Sequence, residues 1–247
     1  KFSGNKKNRP VKEEKFSKRK FEILLSGLEG FVKKIRPEKI KTTWDDYYTG
    51  TILGETYLEA KTKLVQDYCR ELVFENAIDL GANDGHFSLL LKEDKRVIAV
   101  DADPNCINEL YLRIKKERRE NILPLINYLI APSPAIGWNN AERESLTTRL
   151  KADLVLALAL LHHLAIAHNV PLQMIADWLQ PMAENLIIEF VPKTDEKVKL
   201  LLQNREDIFS SYSIENFKTI FAGKYLFLRE DRIADTGRVL FLMKRKG

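Results

Sequence analysis

Apolar residues in the first part of the chain follow the spacing of a helix. Between residues 16 and 35 they recur at three- and four-residue intervals, which aligns them along one face of an amphipathic helix that Pro37 limits. The members of this apolar face are Phe21, Leu24, Leu25, Leu28, Phe31, Val32 and Ile35. The aromatic-rich segment TTWDDYYTG (42–50) is typical of a loop, and residues 56–72 predict a second helix.

Beyond residue 75 the pattern changes to short apolar runs rich in β-forming residues. Seven of them predict strands, at 76–80, 96–101, 122–129, 152–160, 185–191, 224–230 and 237–245. Helical segments are predicted between them, near 85–93, 104–119, 170–182, 194–206 and 213–222. Continuous apolar strands separated by helices are typical of an α/β fold, a mostly parallel sheet with helices on both faces. The last two strands, joined by the turn-like IADTG, predict an antiparallel C-terminal hairpin.

These patterns divide the chain into three parts. Residues 1–15 are expected to form a basic tail or linker, residues 16–72 an N-terminal helical cap with the aromatic loop, and residues 73–247 one α/β domain. The chain begins with Lys1 rather than Met, so we expect a fragment whose tail continues into an upstream domain.

Composition excludes several classes of protein. The chain is 45% hydrophobic and 30% charged, which suits a globular domain with a substantial core. No apolar run approaches the roughly 20 residues that span a bilayer, and no secretory signal is visible. Two cysteines are too few for a disulfide framework, and they predict a cytoplasmic protein.

The net charge of +5 originates at the N-terminus. Residues 1–20 contain seven Lys, two Arg and two Glu, so the rest of the chain is close to neutral. A basic arm can bind phosphate backbones, but a solvated linker is the simpler interpretation. Nucleic acid is therefore not the first expected partner.

The segment AIDLGANDGHFSLLL (77–91) places two glycines at a strand-to-helix turn. In an open parallel sheet such a turn adjoins the ligand site, and Gly81 and Gly85 would let the backbone approach a ligand closely. Asn83 breaks the G-x-G-x-x-G pattern of nicotinamide and flavin sites, and the Gly-Lys-Ser/Thr of a P-loop is absent. The second predicted strand ends in Asp101, whose carboxylate can accept both hydroxyl groups of a ribose.

Asp79, Gly81 and Gly85, followed by Asp101, five ordered strands and a terminal hairpin, resemble the class I S-adenosylmethionine-dependent methyltransferases. The segments WNNAERESLTTR, ADLVLALALLHHLAIAHNVPL, IIEFVPKTD and REDIF are similar to a bacterial methyltransferase family related to the nodulation protein NoeA. The resemblance covers most of residues 40–245. It implies a Rossmann-like fold, S-adenosylmethionine as cofactor and methyl transfer as the reaction, and it leaves the acceptor unassigned.

The resemblance also implies which residues bind the cofactor. Four would line its methionine part: Asp79, Gly81, Ala82 and Gly85. Asp101 would bind the ribose, and Ala102 would lie near the adenine. The alternative is that Asp79 caps the turn and the glycines only permit tight packing.

One position departs from the family pattern. After the third strand, relatives usually carry an acidic residue that receives the adenine amino group, whereas this chain has Tyr128. A tyrosine could stack on adenine or accept one hydrogen bond through its hydroxyl group. Asn127 could supply the adenine contact instead.

Three residues are candidates for proton removal or substrate orientation. His162 and His163 follow the fourth predicted strand, and histidine accepts protons near neutral pH; the alternative is a structural role beneath the cofactor. Glu189 ends the fifth predicted strand and is expected to face the mouth of the site; the alternative is a salt bridge to Lys193 or Arg205. No metal site is predicted, because no cysteine or carboxylate cluster adjoins the histidines.

Five further residues are candidates for substrate contact. Trp44, Tyr47 and Tyr48 could form a lid that excludes water, or pack the cap helix against the sheet. Arg143 and Ser145 could recognise an anionic substrate, although surface capping explains them equally well.

The first functional prediction is a methyltransferase that acts on a small molecule or a sugar-containing metabolite. The second is an RNA or protein methyltransferase that holds its substrate with the basic arm. The third is a methyltransferase-like domain that binds a ligand without turnover, which the departure at Tyr128 would permit.

Overall fold

The computed structural model of the protein describes residues 17–35 and 55–247. These residues belong to two compact units that divide after Ile40. The predicted basic tail, 1–15, and the predicted aromatic loop, 42–50, lie outside the described residues. The three-part division of the chain therefore stays a prediction.

Helix α1 (Lys18–Lys34) is the described part of the first unit. It begins at Ser17, whose hydroxyl oxygen accepts a hydrogen bond from the backbone N–H of Lys20 at 3.3 Å. It ends where Ile35 turns to an extended conformation. The helix confirms the prediction made from the apolar spacing of residues 16–35.

The second unit is built on a seven-stranded sheet with the order β3-β2-β1-β4-β5-β7-β6. Strands β1 to β5 run parallel, and β7 pairs antiparallel with both β5 and β6. This confirms the predicted α/β class and the antiparallel C-terminal hairpin. The strands are β1 Asn76–Leu80, β2 Arg96–Asp101, β3 Ile122–Ile126, β4 Ala152–Ala157, β5 Ala183–Phe190, β6 Tyr225–Arg232 and β7 Val239–Arg245.

Helices cover both faces of the sheet, as the uninterrupted apolar strands require. One face is buried by α2, α3 and α4 through residues such as Tyr68, Phe87 and Leu110. The other face is buried by the later helices through residues such as Ile175 and Phe217. The helices are α2 Glu55–Arg70, α3 His86–Leu90, α4 Pro104–Glu117, α5 Leu146–Arg149, α6 Leu172–Leu179, α7 Glu196–Leu202 and α8 Ile214–Ala222.

Strands β3 and β4 end earlier than their apolar runs predict. The third run extends to residue 129 but the strand ends at Ile126, and the fourth extends to residue 160 but the strand ends at Ala157. Ala159 adopts a left-handed φ of 50°, which no strand accommodates. The residues after both strands are therefore released to form the walls of a cleft.

None of the helices in the described ranges is both long enough and apolar enough to cross a membrane.

Candidate active site

A cleft opens at the carboxyl ends of β1, β2 and β4, where the order of the strands reverses. It encloses about 870 Å³ of space, part of which is open to solvent. The predicted site residues that line it are Gly81, Asp101, Ala102, Tyr128 and His163. The lining residues that were not predicted are Asn83, Leu129, Ile130, Leu158, Ala159, Leu160, Leu164 and His168.

Both glycines of the β1–α3 turn occupy positions that disfavour any residue with a side chain. Gly81 and Gly85 have φ angles of +75° and +79°, a region that residues with a Cβ rarely adopt. A Cβ at Gly85 would lie 2.5 Å from Leu110 Cδ1, in the core beneath the turn. A Cβ at Gly81 would lie 3.3 Å from Leu160 Cδ1, on the wall of the cleft. Gly85 therefore allows close packing, whereas Gly81 borders the cleft itself.

Asp79 and Ala82 support this turn from behind and do not line the cleft. The Ser88 hydroxyl donates a hydrogen bond to Asp79 Oδ2 at 2.7 Å. The backbone N–H of Ala82 donates to the carbonyl oxygen of Val100 at 3.0 Å. Burial raises the pKa of Asp79 to about 6, and the hydrogen bond from Ser88 opposes that rise. These contacts favour the alternative in which Asp79 holds the turn together.

Asp101 presents an oriented carboxylate at the end of β2. Its Oδ2 accepts a hydrogen bond from the backbone N–H of Asn83, and its Oδ1 accepts one from that of Asp103, both at 2.8 Å. Burial raises the pKa of Asp101, while these backbone hydrogen bonds lower it. Each carboxylate oxygen retains a second lone pair. The group is therefore fixed in place with capacity to accept two hydroxyl donors.

Tyr128 and His168 meet across one end of the cleft. Tyr128 follows β3, and its hydroxyl oxygen lies 3.3 Å from Nδ1 of His168. The two rings are nearly perpendicular, with centroids 5.6 Å apart. The Tyr128 hydroxyl is thus within hydrogen-bonding distance of a histidine on the opposite wall.

That opposite wall is a π-helical turn, His163–Ala167, which follows β4. The backbone N–H of His168 donates to the carbonyl oxygen of His163 at 3.1 Å and closes the wide turn. Insertions of this kind are uncommon and are often found at functional sites. The turn brings His163, Leu164 and His168 to the cleft.

The neighbouring histidines His162 and His163 have different surroundings. His163 lines the cleft, whereas His162 is fully buried, and neither of its ring nitrogens has a hydrogen-bond partner in the part of the chain that the structure describes. Burial, with a contribution from His168, lowers the pKa of His163 to about 4. Burial, with a smaller contribution from the adjacent His163 imidazole, also holds the pKa of His162 well below its usual value. Both imidazoles are therefore neutral at pH 7.

We expect the ring signals of His163 in the folded protein to stay unchanged between pH 8 and about pH 5.5. The unfolded chain should titrate near 6.5. Because the folded pKa is depressed, the unfolded chain binds this proton more tightly, and the free energy of unfolding should fall as the pH drops from about 6.5 towards 4. Histidine ring resonances recorded against pH, and assigned with His163→Gln, measure this. A midpoint above pH 6 in the folded protein would contradict the expectation.

The structure corrects the expected surroundings of Glu189. Its carboxylate is fully buried, with Oε2 paired to Lys61 Nζ at 2.6 Å. Its Oε1 accepts hydrogen bonds from the Tyr57 hydroxyl at 2.8 Å and from Arg238 Nη1 at 3.1 Å. Arg238 also donates to both carboxylate oxygens of Asp195, at 2.8 and 3.0 Å. These five residues are called the Glu189 cluster below.

The Glu189 cluster joins α2 to the sheet and does not belong to the cleft lining. Burial alone would raise the pKa of Glu189, but the positive charges of Lys61 and Arg238 lower it to about 2. The predicted partners bind elsewhere: Lys193 pairs with an exposed aspartate, and Arg205 donates to backbone carbonyls. In the described part of the chain, Glu189 is therefore buried away from the cleft lining, and a chemical role for it stays a prediction.

The other predicted substrate contacts stay predictions. Ser145 caps α5 by accepting a hydrogen bond from the backbone N–H of Thr148 at 3.2 Å, and Arg143 is exposed. Neither residue lines the cleft. The three aromatic residues of the predicted lid lie outside the described residues: Trp44, Tyr47 and Tyr48.

Three of the lining residues that were not predicted have only weak signals of their position in the sequence. Asn83 has a left-handed φ of 51°, which asparagine tolerates better than most residues, so its place between the glycines was a usable hint. Ala159 sits in an apolar run that is typical of a strand. His168 stands close to the paired histidines in sequence, but only the π-helical turn brings it to the cleft.

The chain is similar to known proteins both in sequence and in fold. The chain is 35% identical over 228 residues to the nodulation protein NoeA of Rhizobium meliloti strain 1021. The aligned region covers 91% of this chain and 48% of NoeA. It thus spans about half the length of that relative. No protein-family model matches the chain.

The fold is similar to those of solved methyltransferases. The N-methyltransferase NodS from Bradyrhizobium japonicum WM9 superposes with a TM-score of 0.57 at 14% identity, covering 78% of this chain and 98% of NodS. An rRNA methylase from Escherichia coli gives a TM-score of 0.54 at 12% identity, covering 93% of this chain and 85% of the methylase. The chain is a homologue of NoeA with a class I methyltransferase fold.

This relationship confirms the resemblance predicted from the glycine turn and the segments shared with the NoeA-related family. The cleft between β1 and β4 is the place where an open α/β sheet binds its ligand. Asp101 and Gly81 stand in that cleft, as the family pattern implies. These similarities identify the fold and a homologue, but they do not identify the methyl acceptor.

Proposed function

We propose that this chain transfers a methyl group from S-adenosylmethionine to a small molecule or a sugar-containing metabolite. The observation that carries the proposal is the Asp101 carboxylate, which lines the cleft and is held by two backbone N–H groups. NodS, which shares the fold, has been crystallised with S-adenosyl-L-homocysteine. The same cofactor product is therefore the natural first ligand to test.

The residues of the cleft fit this cofactor. The remaining lone pairs of Asp101 match the two hydroxyl groups of a ribose. Gly81 leaves open a space that a Cβ would narrow against Leu160. Ala102 and Tyr128 line the cleft on the side of β3, and we assign the adenine to that side. Asp79, Ala82 and Gly85 shape the turn that presents these groups.

The chain mainly has to hold and orient the reactants, since S-adenosylmethionine supplies a methyl group that is already activated on a sulfonium. Correct positioning contributes as much as roughly 7–11 kcal/mol when the geometry is ideal. Leu158, Leu160 and Leu164 give the cleft an apolar wall. His163 presents a neutral imidazole in the same wall. We propose that its hydrogen bond orients the methyl acceptor.

The charge of the cleft supports a small acceptor. Among the described residues that line it, there is no lysine or arginine. A nucleic acid is held mainly through its phosphates, which need such cationic side chains. An RNA substrate would depend on basic side chains away from this lining, such as those of residues 1–15, which lie outside the described ranges.

Replacing Asp101 by asparagine should weaken the binding of S-adenosylhomocysteine by about 1.5–3 kcal/mol, the scale of a lost hydrogen bond to a charged group. Calorimetric titration of the purified chain measures this. Asp153→Asn is the matched control, because Asp153 also accepts two backbone N–H hydrogen bonds, from Glu75 and Asn76, but does not line the cleft. The affinity of Asp153→Asn for S-adenosylhomocysteine should equal that of the wild type.

Two results would overturn parts of the proposal. Failure of the folded wild-type chain to bind S-adenosylhomocysteine would favour a methyltransferase-like domain that does not use this cofactor. Binding of RNA that weakens steeply with salt, together with loss of that binding on deletion of residues 1–15, would favour the RNA methyltransferase alternative.

A further inference from the structure

The last carbonyl groups of the π-helical turn receive their hydrogen bonds from outside the turn. Arg205 Nη1 donates to the carbonyl oxygen of Ile166 at 2.6 Å and lies 3.4 Å from that of Ala167. Arg205 Nη2 donates to Oδ1 of Asn169 at 2.6 Å. A helix end leaves its final carbonyls without partners within the helix, so this guanidinium completes the end of the turn. It comes from the segment after α7, far along the chain.

The contacts of Arg205 require the shape of a guanidinium group. Two nitrogens fixed in one planar fork serve these three acceptors, whereas a lysine would have to reach all of them from a single nitrogen on a flexible stem. The guanidinium also lies over the ring of Phe209, with its Cζ 4.9 Å from the ring centroid. The side chain is therefore held in one orientation from both sides.

The turn that Arg205 completes forms one wall of the cleft. His163 and Leu164 lie within it and His168 follows it, and all three line the cleft. His168 also contacts Tyr128 on the opposite side. The position of this turn consequently sets both the histidine wall and the width of the cleft at Tyr128. Arg205 itself is not among the residues that line the cleft.

We infer that Arg205 is a positioning residue for cofactor binding, which acts through the π-helical turn by holding His163 and His168 against the cleft. This inference rests on the proposed function, because it assigns the cleft to S-adenosylmethionine. Loss of the fork lets the turn shift, which disturbs the wall without removing any atom that touches the ligand. The same change has little effect on the core, because Arg205 is only half-buried.

The test compares Arg205→Lys with Arg119→Lys. Arg119 uses its two Nη atoms in the same way, donating to the carbonyl oxygens of Leu89 and Leu91 at the end of α3 away from the cleft, at 2.8 and 3.0 Å. Calorimetric titration with S-adenosylhomocysteine should show about tenfold weaker binding for Arg205→Lys, the scale of changes that act on a site through intervening residues. Arg119→Lys should bind within about twofold of the wild type, whatever its melting temperature.

The histidine ring resonances provide a second measurement, which a general loss of stability does not change. The chain has four histidines, so their resonances can be followed separately. In unliganded Arg205→Lys, the signals of His163 and His168 should shift while that of His86 stays in place. Asn169→Gly, which removes one of the three acceptors and suits the left-handed φ of 57° at that position, should shift them in the same direction.

The outcomes separate this inference from the proposed function. Wild-type chain that does not bind S-adenosylhomocysteine overturns both. Wild-type chain that binds, with Arg205→Lys binding equally well, overturns the inference alone. Equal weakening in Arg205→Lys and Arg119→Lys also overturns it, since the effect would then follow stability rather than the position of the turn.

Discussion

Replacing Glu189 by glutamine should lower the free energy of unfolding by about 3–5 kcal/mol, the usual cost of breaking a buried ion pair from one side. The change removes the negative charge between Lys61 and Arg238, and both cations are almost completely shielded from water. Arg238 keeps Asp195, but Lys61 is left without its partner. Urea denaturation followed by circular dichroism measures the loss.

Two further variants test the cause of this loss. Glu184 lies on the same strand and forms an exposed pair with Lys244, so Glu184→Gln should cost no more than about 1 kcal/mol. The double variant Lys61→Met/Glu189→Gln should lose less stability than the sum of the losses in the two single variants. Lys61→Met removes the charge that Glu189→Gln leaves unpaired. Wild-type stability in Glu189→Gln, combined with loss of methyl transfer, would instead restore the predicted chemical role of Glu189.

Replacing Gly85 by alanine should destabilise the protein by about 2–5 kcal/mol. The left-handed conformation of Gly85 costs a residue with a Cβ roughly 1–2 kcal/mol. The new methyl group would also lie 2.5 Å from Leu110 Cδ1, and Leu110 is fully buried, so it cannot move without disturbing the core; overpacking of this kind adds about 1–3 kcal/mol. Thermal and urea denaturation of the variant measure the combined effect.

Gly81→Ala separates these two contributions. The φ angle of Gly81 is nearly the same, but its added Cβ would meet Leu160 Cδ1 at 3.3 Å, at the edge of the cleft. We expect a smaller loss of stability and weaker binding of S-adenosylhomocysteine. Equal destabilisation by the two alanine substitutions would show that backbone conformation alone is responsible, and that the contact with Leu110 adds nothing.

The glycine turn and Asp101 could be placed from the sequence because their signals are local. A glycine-containing turn directly after an apolar run marks the end of a strand, and the next apolar run ends in Asp101. Parallel strands bring their carboxyl ends to one edge, so the two features had to meet. Tyr128 was placed at the cleft only through the family resemblance, and its contact with His168 depends on a turn from the opposite wall.

The π-helical turn was not predictable from the apolar pattern. The run that contains Leu158 and Leu160 is equally compatible with a strand and with a buried helix, because periodicity does not separate the two in short apolar segments. The left-handed Ala159 ends the strand region, and the carbonyls of the turn are completed by Arg205 from a distant segment. No residue close to the turn in sequence indicates that contact.

The sequence by itself determined the α/β class, the order of the strands and of the longer helices, and the glycine turn with Asp101 beyond it, since these follow from periodicity and from neighbours along the chain. The tertiary structure alone decided what surrounds Glu189, which meets Lys61 of α2 and Arg238 directly before β7. A carboxylate at the end of a strand has the same sequence signature whether it faces a ligand or two buried cations. Only folding, which brings residues far apart in the chain within 2.6 Å and 3.1 Å of it, distinguishes the two.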